Sequence, residues 1–175
     1  MKDIVLSINN VTLNRLKGND KDQLVELANN IKIWKNVCDF FPQPYTVEDA
    51  LSYIDFVNNQ NPYQNFAIRY KGRFCGMIGA EPQADVYKFS AAMGYWIGEP
   101  FWGKGIASLA VKLLTDYAFD SLGMVRIFSS VFDFNEASKK VLEKNDFKLE
   151  CIKERAVYKN NTFIDEYSYS LVKKE

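Results

Sequence analysis

GYWIGEPFWGKGIA, residues 94–107, is the stretch on which the fold turns. It begins inside an apolar run, Phe89–Ile97, that reads as a strand and is stopped by Gly98-Glu99-Pro100. Past the loop Trp102-Gly103-Lys104-Gly105, residues Ile106, Leu109, Ala110, Leu113, Leu114, Tyr117 and Ala118 fall on one helical stripe. Glycines between a strand and a helix let backbone N–H groups converge without Cβ obstruction, and the first helical turn adds four unpaired donors. Such a cradle suits a pyrophosphate. Each hydrogen bond to a charged oxygen contributes about 1.5–3 kcal/mol and the helix dipole about 0.3–1 kcal/mol. The loop matches neither G-x-x-x-x-G-K-[ST] nor the full G-x-G-x-x-G, and G-K-G alone is as often a plain turn.

Working outward, Val11–Leu16 alternates like a half-buried strand, and Leu24, Leu27, Ala28 and Ile31 recur at helical spacing after Asp20 and Asp22. Phe40-Phe41-Pro42-Gln43-Pro44-Tyr45 is an aromatic, proline-punctuated loop. Thr46-Val47-Glu48-Asp49 resembles a capping box, opening a helix to about Asn58. Phe66–Tyr70 and Phe74–Ala80 flank the hairpin signal Lys71-Gly72. In the second half, Val125–Phe132 reads as a strand and Asn135 as the cap of a helix to about Lys144. Phe147–Val157 and Phe163–Val172 form a last hairpin around Lys159-Asn160-Asn161. Hairpins on both sides of a strand–helix–strand–helix centre argue for α/β or α+β, built on a mixed sheet. No linker or repeat divides the 175 residues, so 1–175 reads as one domain.

Composition narrows the chemistry. Lysine plus arginine and aspartate plus glutamate each number 22, ten of each through Lys88 and twelve of each after it. That even zero balance supports neither a nucleic-acid footprint nor a membrane-seeking patch. The 26 aromatics could stack bases, but no basic groove accompanies them. Histidine is absent, which removes Ser-His-Asp and Cys-His catalysis and every histidine metal site. Cys38, Cys75 and Cys151 lie far apart with no C-x-x-C, and read as reduced, mostly buried residues of a cytoplasmic protein. No apolar run approaches the roughly 20 residues of a membrane span, and MKDIVLSINN has no signal-like apolar core.

The 94–107 stretch, followed by Asn135-Glu-Ala-Ser-Lys-Lys-Val-Leu-Glu-Lys-Asn-Asp-Phe147, resembles the GNAT superfamily of acetyl-CoA-dependent N-acetyltransferases. Within it, the chain is similar to the branch of the ribosomal-protein-alanine N-acetyltransferases. The likeness runs from Leu13-Asn14-Arg15-Leu16 to Tyr167–Leu171. It implies a mixed sheet of about seven strands with about four helices, split at its middle so that pantetheine inserts like a strand. Carried over, the splayed strands are those of Tyr95–Gly98 and Val125–Phe132. Backbone at Ile97 and Glu99 would pair with pantetheine. N–H groups of Gly103, Lys104, Gly105, Ile106, Ala107 and Ser108 would hold the pyrophosphate. Asn135 would bond the cofactor arm, and Ser138 is either the candidate to protonate the leaving thiolate or a surface hydroxyl near the helix cap. Lys139 and Lys140 either approach the cofactor's 3′-phosphate or form a solvated face. Phe41 and Tyr45, with Phe40, either wall the acceptor or form an aromatic loop that closes the core. Acetyl-CoA is the implied cosubstrate, with no metal, an amine acceptor, and a monomer or homodimer.

Two positions depart from the family pattern. The tyrosine that many relatives use as acid is Leu142 here, and the glutamate two residues before the Gly-Tyr is Ala92. Glu81 and Glu99 are candidate bases by residue type only. Trp96 and Trp102 read as core anchors. An α-amine near pKa 7.8 costs about 1.1 kcal/mol to neutralise at pH 7, against about 4.6 kcal/mol for a lysine-type amine. Without an assigned base, a peptide N-terminus or another low-pKa amine is the favoured acceptor. The alternative is a catalytically silent acyl-CoA-binding module.

Overall fold

The computed structural model describes residues 4–174; Met1–Asp3 and Glu175, the ends of the expected 1–175 domain and part of the MKDIV start, lie outside them. The chain opens with β1 (Leu6–Ile8) and β2 (Val11–Asn14), then α1 (Lys21–Ala28), α2 (Ile31–Trp34) and α3 (Val47–Asn58). β3 (Asn65–Tyr70), β4 (Arg73–Pro82) and β5 (Ser90–Ile97) follow, then α4 (Ile106–Asp120), β6 (Arg126–Phe132), α5 (Glu136–Lys144), β7 (Lys148–Lys159) and β8 (Thr162–Val172). The eight strands form one sheet in the order β1-β2-β3-β4-β5-β6-β8-β7. β1 and α2 are the elements without a counterpart in the sequence reading. At three and four residues, both are too short to display a periodicity.

Local chemistry sets the remaining boundaries. Lys71 and Gly72 both take positive φ, as do Asn160 and Asn161, the backbone that a tight hairpin turn requires. Asp49 Oδ2 accepts from the Thr46 N–H at 2.8 Å, and Thr46 Oγ1 accepts from the Asp49 N–H at 3.2 Å, so the capping box at the start of α3 closes. Asn135 Oδ1 accepts from the Ser138 N–H at 3.1 Å and caps α5. Two of the three cysteines contradict their expected burial. Cys38 follows α2 in an open loop and Cys151 lies on the outermost strand, β7, so both are exposed. Cys75 is buried in β4, and burial pushes its thiol up to about 12. All three are free thiols.

One discontinuity positions everything that follows. β5 and β6 are parallel neighbours joined through α4, yet they pair only from Ser90↔Arg126 to Ala92↔Phe128. Their outer ladders continue: β5 stays on β4 as far as Ile97↔Gly76, and β6 stays on β8 as far as Phe132↔Glu166. Past Ala92 the sheet therefore opens between two strands that are each held from the other side. The two faces are distinct. Phe66, Ile78 and Tyr95 lie in one cross-strand row, and Phe66 meets Tyr117 of α4 edge to face at 5.2 Å. Ala67, Met77 and Trp96 lie on the other face, where Phe41 meets Trp96 at 5.9 Å.

Beside β2 and β3, Arg69 makes a two-pronged pair with the buried Asp20, 2.9 and 2.6 Å, and donates to Asn14 at 2.9 Å. Removing one partner of a buried pair strands the other charge. Asp20→Ala is expected to lower unfolding free energy by about 3 kcal/mol, read as a lower urea midpoint at unchanged slope.

Candidate active site

The opening between β5 and β6 is the floor of a cleft of about 950 Å³, lined by Met93–Ile97, Phe101–Ser108, Ser129–Phe132 and the start of α5. The Gly98 N–H donates to the Cys75 carbonyl at 2.8 Å, so even-numbered residues of β5 turn their backbone toward β4. By the alternation of an antiparallel strand, the N–H and C=O of Met93, Tyr95 and Ile97 face the gap. This is a strand edge inside a sheet, and a third strand-like group can pair with it.

At one end of that edge lies the glycine loop. Gly103 and Gly105 both stand at φ +72°, with open space where a Cβ would be. Gly105 is the N-cap of α4 and supplies no side-chain acceptor, so the first-turn N–H groups of this 15-residue helix carry no side-chain cap. Lys104 is folded back, its ammonium on the Pro100 carbonyl at 2.8 Å, and the loop thus presents backbone. Three lysines line the cleft, Lys104 with Lys32 of α2 and Lys35 at its C-terminal cap, a contribution hidden from the sequence because α2 itself was. Trp102, 45% exposed, is not the core anchor expected of it. Its indole N–H donates to the Ile97 carbonyl at 2.6 Å and its backbone N–H to the Glu99 carbonyl at 3.1 Å. Trp102 is therefore a clasp that fixes the exit of β5, and it already uses a lone pair on each carbonyl.

At the other end stands the first turn of α5. Ser138 is half-buried on the cleft wall, and the Tyr95 hydroxyl donates to the Ser138 carbonyl at 3.4 Å. Burial pushes the Tyr95 phenol up to about 12, so it keeps its proton at neutral pH. The reach of the Tyr95 hydroxyl to Ser138, 43 residues along the chain, leaves no local signal in the sequence. Asn135 lines the same wall; with Oδ1 committed to the helix cap, its amide N–H groups are what it offers a ligand. Leu142 is fully buried, so no proton donor stands there. Lys139 is neither a phosphate ligand nor part of a solvated face. It is buried, bonded to the Asp133 carbonyl at 2.5 Å and to Glu136 at 2.7 Å, with its ammonium 3.9 Å from the Tyr167 ring centroid. Lys140 is exposed.

A second cleft, about 680 Å³, opens on the other face of the sheet. Phe41 and Tyr45 both line it, their ring centroids 5.1 Å apart, with Tyr53 and Phe56 beyond. Burial, with Asp49 nearby, pushes the Tyr45 phenol up to about 12. The two clefts share Gly94, Tyr95 and Trp96, and also Val37 and Cys38. Of the two candidate bases, Glu99 is excluded. Its carboxylate is bound by Lys32 and by the Asn30 amide, which hold it below the usual carboxylate range, and it lines neither cleft. Glu81 lines the second cleft, directly across from Ala92.

Residues 10–148 match the family model of the acetyltransferase (GNAT) domain. The chain is 30% identical over 172 residues to the putative ribosomal N-acetyltransferase YdaF of Bacillus subtilis (strain 168), covering 94% of this chain and 92% of that one. Among solved structures it resembles RimL, a ribosomal L7/L12 alpha-N-protein acetyltransferase in complex with coenzyme A. There the TM-score is 0.85 at 20% identity, over 97% of this chain and 98% of that one. It also resembles the microcin C7 self immunity acetyltransferase MccE in complex with acetyl-CoA and AMP, with TM-score 0.81 and 25% identity over 94% and 93% of the chains. The glycine loop gives this site a direct check. At φ +72° a side chain costs about 1 kcal/mol, so Gly105→Ala should lower the thermal midpoint by about 3 °C, measured by calorimetry.

Proposed function

The chain belongs to the GNAT family of acetyltransferases, and on that footing we propose that it passes the acetyl group of acetyl-CoA directly to a primary amine within a ternary complex. It is an acetyl-CoA-dependent N-acetyltransferase. The acceptor we propose is the α-amine of a protein or peptide N-terminus, or a small amine of similarly low pKa. The whole of residues 1–175 acts as one transferase domain in the cytoplasm.

A single observation carries this reading: the gap between β5 and β6 joins a cleft on one face of the sheet to a cleft on the other at Gly94. The residues present fit the cosubstrate, because an uncapped helix start suits a diphosphate and an unpaired strand edge suits an amide-bearing arm. Bound there, acetyl-CoA supplies a thioester whose carbonyl carbon an amine can attack. The N–H groups from Gly103 to Ser108 would hold the diphosphate, and the gap-facing groups of Tyr95 and Ile97 would pair with the pantetheine amides. The Asn135 amide would donate to the same arm. Ser138, with Tyr95 beside it, would stand at the sulfur end as the proton source for the departing thiolate. On the far side, Phe41 and Tyr45 would wall the amine, which would meet the thioester over Gly94.

A thiol-release assay with acetyl-CoA and peptides bearing free α-amines should give turnover. Coenzyme A binding without thiol release for any amine would instead mark a silent acyl-CoA-binding module. Gly94 is the discriminating position, because a Cβ there meets nothing within 4 Å and the fold tolerates one. Gly94→Leu should keep acetyl-CoA affinity while blocking the junction, with kcat lowered by about 100-fold, the penalty of a misplaced acceptor. Wild-type turnover in that variant would mean the amine does not approach through the junction.

A further inference from the structure

Resting on the transferase reading, we infer that Glu81 receives the acceptor as an ammonium and takes its proton. The second cleft must contain a proton acceptor if the amine arrives charged, and the chain has no histidine. Its titratable groups are Cys38, Tyr45, Asp49, Tyr53, Glu81 and Tyr95, and no lysine or arginine lines it among the described residues. Burial raises the three phenols, which therefore stay protonated at neutral pH. Asp49 is spent on the start of α3: it accepts from the Thr46 N–H at 2.8 Å and from the Thr46 hydroxyl at 2.7 Å, and these bonds hold it below the usual carboxylate range. Glu81 enters none of the side-chain ion pairs among the described residues.

Register gives Glu81 its direction. In the β4–β5 ladder the pairs Met77↔Trp96, Gly79↔Gly94 and Glu81↔Ala92 follow one another on the same face. Glu81 is thus the diagonal cross-strand neighbour of Gly94, about 7–8 Å from the junction. The Gly79↔Gly94 row brings no side chain of its own to that face, the Asn65 amide reaches over Gly79 from β3, and across from Glu81 stands only the methyl of Ala92. Along the β5 side, where the space over Gly94 is open, an extended carboxylate and one water would reach an amine over Gly94. The aromatic walls, Phe41 with Tyr45 and Tyr53 with Phe56, favour the same charge state, since ring faces attract a cation.

The protons balance. One leaves the ammonium through the water for the Glu81 carboxylate, and the freed lone pair forms the C–N bond as the C–S bond breaks. The second proton lost from nitrogen offsets the one gained by the thiolate from the Ser138 side. Glu81 then gives its proton to solvent.

Glu81→Gln should lower kcat/KM for an α-amine peptide by about 100-fold at pH 7, within the range of general-base removal. Acetyl-CoA affinity should be unchanged, which also reports that the variant is folded. The deficit should shrink as pH rises toward the amine's own pKa, because the acceptor then arrives neutral. The double variant Glu81→Ala with Ala92→Glu moves the carboxylate across the ladder by the roughly 5 Å of a cross-strand pair, and should recover at least about tenfold over Glu81→Ala alone, a restoration that a structural role for Glu81 does not predict. Activity within twofold of wild type across the pH range in Glu81→Gln, or no recovery in the double variant, overturns the assignment. Wild-type protein that releases no thiol with any amine overturns the transferase reading itself, and Glu81 falls with it.

Discussion

The structure depends on the unequal commitment of two strands. β5 and β6 hold each other through three residue pairs, while their outer neighbours hold them to the end of the sheet. Backbone N–H and C=O groups left facing a gap are expensive unless water or a ligand meets them. A gap in mid-sheet therefore persists only where something pins both sides. The Trp102 indole on the Ile97 carbonyl pins the exit of β5, and the Asp133 N–H on the Asp165 carbonyl pins the end of β6 to β8. The Tyr95 hydroxyl, donating to the Ser138 carbonyl, ties β5 to the first turn of α5. The two clefts, their junction and the order of the proposed chemistry all follow from this opening.

Charge explains how a chain of zero formal net charge can suit a polyanionic cosubstrate. The donors at the glycine loop are backbone groups and a helix end, which cost no cationic side chains. The second cleft has the opposite chemistry: aromatic rings, two carboxylates and no lysine or arginine lining it among the described residues. Anion-favouring and cation-favouring surfaces thus meet at Gly94, a separation that would keep each proposed substrate on its own side of the sheet.

Much of this was legible in the sequence wherever the signal was local. The strand–loop–helix at 94–107, the Thr46 capping box, the Asn135 cap and the Asn160-Asn161 turn each depend on neighbours a few residues apart, and all stand in the structure. What escaped depends on distance along the chain. Glu99 is neutralised by Lys32, 67 residues away, so its unfitness as a base could not be read from its surroundings in sequence. Glu81 acquires its place only from the ladder that sets it against Ala92, eleven positions on. Lys139 reads as part of a charged helical face, yet Tyr167 from β8 covers it. Trp102 is the exception, missed although its partner Ile97 is five residues away, because it reads as an apolar anchor while its role comes from the one polar hydrogen on its ring.

In the proposed complex, acetyl-CoA occupies the gap by completing the unpaired edge of β5. Amide hydrogen exchange, with and without acetyl-CoA, tests it residue by residue. The account predicts that the Tyr95 and Ile97 amides exchange quickly in the free protein and become protected on binding, together with those of Ile106, Ala107 and Ser108. The Trp96 amide, turned toward β4, should be slow in both states. Protection that falls equally on Tyr95, Trp96 and Ile97, or that leaves the β5 edge unchanged while acetyl-CoA is bound, would contradict it.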